Sequence, residues 1–284
     1  LMRSSAASDV YKRQGGYVTG TVLKTAIKCG IKTALHESNS LPGVSVKMLA
    51  PKADLVMLGT EDAKKHLGEC KKCVVTGNPL RNNIPIEEKS AARKRLGLPD
   101  CLTILSAGGS QGASRLNEAV VQLLAYEQKK GNINHIHGYG KHGRDTFMQS
   151  LEDNGVDAGN PHFIIKEYID NMYTCMCASD LIITRAGAMT LTEITAIGRA
   201  SVLIPYPYAA ENHQYYNALT LQNANAGRII DDKELTGSVL IDTVNRLADD
   251  PELLRLMSEN AAKLSKRDAA GIILREITEL MGIK

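Results

Sequence analysis

The 284-residue chain has no tryptophan and only two phenylalanines, and aromatic residues make up 4% of it. Its core must therefore be built from Ile, Leu, Val, Ala and Met. No apolar run approaches the ~18 residues that cross a bilayer as one helix, so any membrane contact is expected to be peripheral. The excess positive charge is only +3, too small to argue for nucleic acid as a partner. Asp-x-Asp, the usual holder of a divalent metal in sugar-nucleotide enzymes, occurs nowhere in the chain. The glycine-rich turn at 108–112 matches neither the spacing of G-x-G-x-x-G nor the phosphate-binding Gly-Lys-Ser/Thr loop. Six cysteines occur, two of them as Cys70-Lys-Lys-Cys73. No second Cys-x-x-Cys or His-x-x-x-His supports a zinc site, so reduced thiols and no metal or other cofactor are expected.

What is present is the composition of an ordinary globular protein, 43% apolar and 23% charged. Short β-branched runs, among them "IKTALH" (31–36), "DLVMLG" (54–59), "CVVTG" (73–77), "LTILSAGG" (102–109), "INHIHGYG" (133–140), "HFIIKEY" (162–168), "DLIITRAG" (180–187) and "SVLIPYP" (201–207), read as strands. Helical patterns at 18–29, 60–67, 111–129, 142–153, 188–197 and 211–224 separate most of them. That alternation implies right-handed βαβ units and parallel sheets covered by helices on both faces, an α/β fold. "GNPLRNNIPIEEKSAARKRLGLPD" (77–100) carries three prolines and a charge cluster, which places a domain junction at 81–85. The expected organisation is a first Rossmann-like domain at 15–83, a second at 84–266, and a C-terminal helix, 267–284, packing back on the first. "LMRSSAASDVYKRQ" (1–14) has neither period nor cap and reads as a non-native scar, leaving the first domain incomplete.

In open α/β sheets, ligands bind beyond the carboxyl ends of the strands, so the strand-to-helix turns are the places to search. Three are unusual. In "SAGGSQGASRLN" (106–117), Gly108, Gly109 and Gly112 surround Ser110 where a helix should begin. The turn is either a tight connection with no further role or a phosphate cradle of backbone amides and helix dipole. In "TRAGAMTLTE" (184–193), Thr190 and Glu193 have capping-box spacing, which would start a helix at Thr190 and leave Arg185 to Met189 as a loop. Glu193 could equally accept hydrogen bonds from ribose hydroxyls. "YPYAAENHQYYNA" (206–218) gathers Glu211, Asn212, His213 and Gln214. That cluster is a solvated first turn or a set of amides reading sugar hydroxyls. "HESNSLPG" (36–43) and "GNPLR" (77–81) add Asn39 and Arg81 as candidates from the first half.

Taken together and in order, "GGYVTG", "HESNSLPG", "GNPLR", "GGSQGASRLN", "EYIDNM", "TRAGAMTLTE" and "ENHQYYNA" resemble the MurG family over residues 15 to 284. That family comprises inverting glycosyltransferases of the GT-B fold, two Rossmann-like domains facing across a cleft. The resemblance implies transfer of N-acetylglucosamine from UDP-GlcNAc to lipid I, forming lipid II for peptidoglycan, at the cytoplasmic face of the bacterial cell membrane. It implies that Ser110 contacts the diphosphate and that Ile169 meets uracil through its backbone. Ala188, Met189, Thr190, Leu191, Thr192 and Glu193 would wrap the nucleotide, with Glu193 on the ribose. Gln214 would hold the sugar, and Asn39 and Arg81 would reach the donor. Gly109, Arg185 and His213 are secondary candidates. The family's glycine-rich, histidine-bearing loop has no counterpart before Gly15, so the general base is expected in a missing N-terminal loop and the chain is expected to be an impaired fragment. Two alternatives share the donor: a UDP-GlcNAc 2-epimerase and a non-catalytic UDP-sugar-binding module.

Overall fold

The structure is a computed structural model and describes residues 17–81 and 86–283. The expected scar at 1–14 and most of the expected junction at 81–85 lie outside the described residues. The described residues form two compact units. One holds those up to Thr76 together with those from Gly271 onward, and the other is Gly77–Ala270.

The first unit carries a three-stranded parallel sheet in the order β1 (Ala34–Glu37), β2 (Leu55–Leu58), β3 (Cys73–Val75). Helices α1 (Tyr17–Lys28) and α2 (Val44–Leu49) accompany it, and the segment expected as a helix at 60–67 is a 3₁₀ turn, Asp62–His66. Leu35, Leu49, Val56 and Leu58 form its aliphatic core. Lys72, just ahead of β3, pairs with Glu276 at 2.7 Å and Glu279 at 3.0 Å on the last helix, α11 (Ala269–Met281). Glu37, buried at the end of β1, organises the following loop. Its Oε1 accepts from the Asn39 backbone and side-chain amides at 2.9 and 3.1 Å, and its Oε2 accepts from the Gly43 amide at 2.9 Å.

The second unit is a six-stranded parallel sheet built from β4 (Leu102–Ala107), β5 (Ile133–Gly138), β6 (Phe163–Lys166), β7 (Leu181–Thr184), β8 (Ala200–Leu203) and β9 (Gly227–Ile229). Their order, β6-β5-β4-β7-β8-β9, is the doubly wound arrangement in which the strand order reverses between β4 and β7. The connecting helices are α3 (Lys89–Leu96), α4 (Ser114–Lys130), α5 (Phe147–Asp153), α6 (Met172–Ala178), α7 (Ala188–Ile197), α8 (His213–Asn223), α9 (Gly237–Ala248) and α10 (Pro251–Lys263). Their ends follow local chemistry. Thr236 caps α9 by accepting from the Val239 amide, and Asp250 caps α10 by accepting from Leu253 with Pro251 at the first helical position. One core layer packs Leu116, Val120, Leu123 and Leu124 of α4 with Val244 and Leu247 of α9; a second packs α6, α7 and α8 on the other face.

The helices α2 and α6 and the strand β9 lie where no element was expected. The helix expected from residue 111 begins at Ser114 instead, with Ala113 at its cap. The chain divides after Thr76 rather than at 81–85, and the reason is visible in "GNPLR": Asn78 Nδ2 donates to Thr192 Oγ1 of α7 at 3.0 Å, holding the segment on the second unit.

Candidate functional site

At the carboxyl ends of β4, β5 and β6 the second unit holds a cleft of about 450 Å³. Beneath its floor runs a chain of buried polar groups. Ser106 of β4 faces His137 of β5 across the parallel ladder. Glu127 Oε2 accepts from His135 Nδ1 at 2.7 Å, and Ser106 Oγ bridges His135 Nε2 and His137 Nδ1 at 2.7 Å each. The carboxylate can only accept, which makes His135 Nδ1 a donor, and the Ser106 hydroxyl, which can both donate and accept, joins the two rings. Burial, then the neighbouring His135, push the His137 imidazole well below the ordinary histidine range. Its ring stacks on Phe147 with centroids 4.7 Å apart. A serine, two histidines and a carboxylate thus form a relay that reaches no solvent, and its effect is to fix the register of the strands whose next residues, Ala107 and Gly138, line the cleft.

The glycine turn above it has two functions at once. Gly112 has φ +85, and a Cβ there would lie 2.3 Å from the Tyr139 carbonyl oxygen. Gly140 approaches Gly112 equally closely from the other side. The turns after β4 and β5 therefore interlock backbone to backbone, tied by His142 N–H donating to Gln111 O at 2.8 Å and Asn117 Nδ2 donating to Tyr139 O at 2.9 Å. Gly109 is different: its φ is +88, but a Cβ would meet nothing within 4 Å. Gly109 and Ser110 line the cleft. Because α4 starts at Ser114, Ser110 is presented by the turn and not by a helix N-terminus.

Glu193 lines the same cleft from α7. The capping box expected between Thr190 and Glu193 is not formed. Gly187 occupies the cap without a side-chain bond, the helix runs from Ala188, and the Leu191 amide already donates to Gly187 O at 3.0 Å. A helix leaves the amides of its first turn without internal acceptors, which here are those of Ala188, Met189 and Thr190. Leu191 itself is buried in the core, and Thr192 Oγ1 donates to Ala188 O at 2.8 Å. Glu193 instead accepts a hydrogen bond from Tyr173 Oη at 2.9 Å. Burial raises the Glu193 carboxyl above its usual range, against the lowering effects of Tyr173 and Arg81. Tyr173 is raised by burial and by the adjacent carboxylate.

Of the expected residues, the structure gathers Arg81, Gly109, Ser110, Ile169 and Glu193 around this cleft. Ile169 turns its side chain into the core, within contact of Gly138. Arg185 is not among the lining residues. Its guanidinium donates to the Ile204 and Pro205 carbonyls and to Asp232 Oδ1, the last at 2.6 Å, and it lies 5.7 Å from the centroid of the Tyr206 ring. Gln214 and His213 stand at the start of α8: Gln214 Oε1 accepts from the Tyr206 amide at 3.0 Å, and His213 Nδ1 donates to Ala210 O at 2.9 Å. Asn39 belongs to the first unit. Cleft residues that sequence reasoning passed over are Tyr168, Tyr173, Asn171 and Glu167. The "EYIDNM" motif contained three of them and was the available signal. Glu167 is held by Arg144 through two hydrogen bonds at 2.8 and 2.6 Å, which lower its carboxyl.

The "Glycosyltransferase family 28 C-terminal domain" family matches residues 103–272. A UDP-N-acetylglucosamine--N-acetylmuramyl-(pentapeptide) pyrophosphoryl-undecaprenol N-acetylglucosamine transferase from Desulforamulus reducens is 37% identical over 96% of this chain and 74% of its own length. A relative of the same name from Thermoanaerobacter sp. is 40% identical over 96% of this chain and 74% of its own length. The crystal structure of Acinetobacter baumannii MurG superposes with a TM-score of 0.75 at 28% identity, over 93% of this chain and 72% of that one.

Proposed function

Because the chain belongs to the MurG family of glycosyltransferases, we propose that it moves N-acetylglucosamine from UDP-GlcNAc, with inversion, onto lipid I, the undecaprenyl-pyrophosphoryl-MurNAc-pentapeptide acceptor. The observation that carries the donor assignment is one cleft bordered by a glycine turn, a cation and a carboxylate on a doubly wound sheet. At about 450 Å³ it lies within the ~300–1,000 Å³ range of small-molecule sites. In this reading Glu193 accepts from ribose hydroxyls, the Ile169 main chain meets uracil, and Ser110 with the Gly109 turn takes the diphosphate. Breaking the sugar–phosphate bond leaves additional negative charge on the nucleotide. Arg81 and the amides of Ala188, Met189 and Thr190 are the groups available to stabilise that charge as it develops, since preorganised donors need no reorganisation at that moment. Gln214 keeps its amide NH₂ for sugar hydroxyls. The roles of Asn39 and Gln214 rest on the family's pattern alone.

The acceptor's undecaprenyl chain places the reaction at a membrane surface, and we assign it to the cytoplasmic face as a peripheral contact. Among the described residues, no helix is long and apolar enough to cross a membrane.

Calorimetry with UDP and transfer of labelled GlcNAc to a soluble lipid I analogue test the proposal. UDP binding by the folded chain is the expected result, and formation of the disaccharide product identifies the transfer. A folded preparation that binds no UDP removes the donor assignment. Conversion of UDP-GlcNAc alone to UDP-ManNAc would move the chain to the epimerases.

A further inference from the structure

Tyr173 stands on α6 with its hydroxyl 2.9 Å from Glu193 Oε1, and both residues line the cleft. A carboxylate at the end of a glutamate side chain has three rotatable bonds, and ordering it costs rotamer freedom. A phenol held by its own helix and aimed at one oxygen removes much of that freedom before any ligand arrives. It also occupies Oε1, leaving Oε2 as the less committed acceptor. We propose that Tyr173 is a positioning residue for the donor nucleotide: by tying Glu193 Oε1 it sets the carboxylate to accept a ribose hydroxyl and so favours ribonucleotides over their deoxy counterparts. This inference rests on the donor reading above.

The groups acting on Glu193 are few. Among the described residues they are Tyr173 from α6 and Arg81 from the segment entering the unit; α8 and α10, which also pack on α7, contribute none. Both Tyr173 and Arg81 favour the ionised carboxyl, and burial opposes them. Removing the hydroxyl therefore leaves burial less opposed, and the carboxyl takes up its proton at a higher pH. Only the ionised form is a pure acceptor for a hydroxyl donor, so UDP affinity falls toward acid, and it falls earlier without the phenol.

The test is calorimetric titration of UDP and 2′-deoxy-UDP over a pH series with the native chain, Tyr173→Phe and Glu193→Gln. Tyr173→Phe keeps the ring and is expected to weaken UDP about 3- to 10-fold, the range of one hydrogen bond. Its effect on 2′-deoxy-UDP should be smaller, and its acid limb for UDP should move to higher pH. Glu193→Gln should remove the carboxyl's share of the limb and leave only that of the nucleotide's own terminal phosphate. An unmoved limb with an unchanged UDP to deoxy-UDP ratio in Tyr173→Phe overturns the positioning role while leaving the donor site intact. An acid limb in Glu193→Gln identical to that of the native chain overturns it as well, through the second variant. Failure of the native chain to bind UDP takes down the donor reading and this inference together, an outcome distinct from the other two.

Discussion

The turns after β4 and β7 leave adjacent parallel strands, with Ala107 and Thr184 paired at their ends. After β4 the chain spends residues 108–113 before a helix begins, and two of its glycines have positive φ. After β7 it spends only residues 185–187, and α7 starts at once. The first turn gets its shape from another loop, by the interlock with Tyr139 and Gly140. The second gets its shape from a side chain, as Arg185 reaches across to Asp232 and two carbonyls. The longer turn thereby carries a serine to the cleft away from any helix end, and the shorter one leaves first-turn amides with no side-chain cap. Glycine spacing in a strand-to-helix turn thus reports close approach of backbones first, and a ligand only where a glycine has open space beside it.

The sharpest way to break this contrast is Gly112→Ala. The new Cβ would sit 2.3 Å from a carbonyl oxygen at φ +85. Overpacking of about 1–3 kcal/mol adds to backbone strain of about 1–3 kcal/mol, so the chain should lose roughly 4 kcal/mol. The urea midpoint measures this. A variant as stable as the native chain would show that the two turns are not locked together.

The equivalent cut in the other turn is Asp232→Ala. Arg185 and Asp232 each keep only 14% of side-chain exposure, and removing one partner of a buried pair costs about 3–5 kcal/mol. Here Arg185 retains the Ile204 and Pro205 carbonyls, which reduces the expected loss to roughly 2 kcal/mol. A loss confined to stability, with UDP affinity preserved, would show that the latch shapes the turn without entering the cleft.

The polar relay under the first turn should make its side of the sheet acid-sensitive. The folded His137 lies well below the ordinary range because it is buried. Above that range both folded and unfolded chains hold it neutral. As pH falls through the ordinary histidine range, the unfolded chain takes up a proton that the folded chain refuses, so stability is lost toward acid. One such proton gives a slope of at most about 1.4 kcal/mol per pH unit. Melting temperatures across the acid range should fall less steeply in His137→Phe than in the native chain. Equal slopes would remove His137 as the cause.

These contrasts also separate what could be read from the sequence from what could not. Buried parallel strands announce themselves as apolar runs, so β2, β7 and β8 were legible, as were the bounds of α7 at 188–197. The start of α4 was misplaced because its determinant, the Tyr139–Gly140 backbone, lies some thirty residues downstream. The unit boundary was misplaced for a similar reason, since Asn78 finds Thr192 only in the fold. Helix α6 has five of its seven residues buried, so it shows no polar face and no period. With α6 unseen, Tyr173 was unseen too. Glu193 was legible as a candidate, and the reading that competed with it was a capping box that the helix does not form.

Gly109→Ala is the mildest and most discriminating change. It shares a positive φ with Gly112, at +88 against +85, yet a Cβ at Gly109 meets nothing within 4 Å. Sterics between turns are absent, so only the left-handed backbone opposes the substitution, at about 1–2 kcal/mol. Any loss of UDP affinity beyond that stability change must come from the methyl entering the cleft or from a shifted Ser110. If Gly109→Ala and Gly112→Ala prove equally destabilising, conformation alone governs both glycines and the interlock is dispensable. If Gly109→Ala binds UDP as the native chain does at nearly native stability, the open face of the turn does not touch the diphosphate, and the cradle must be sought in the first-turn amides of α7.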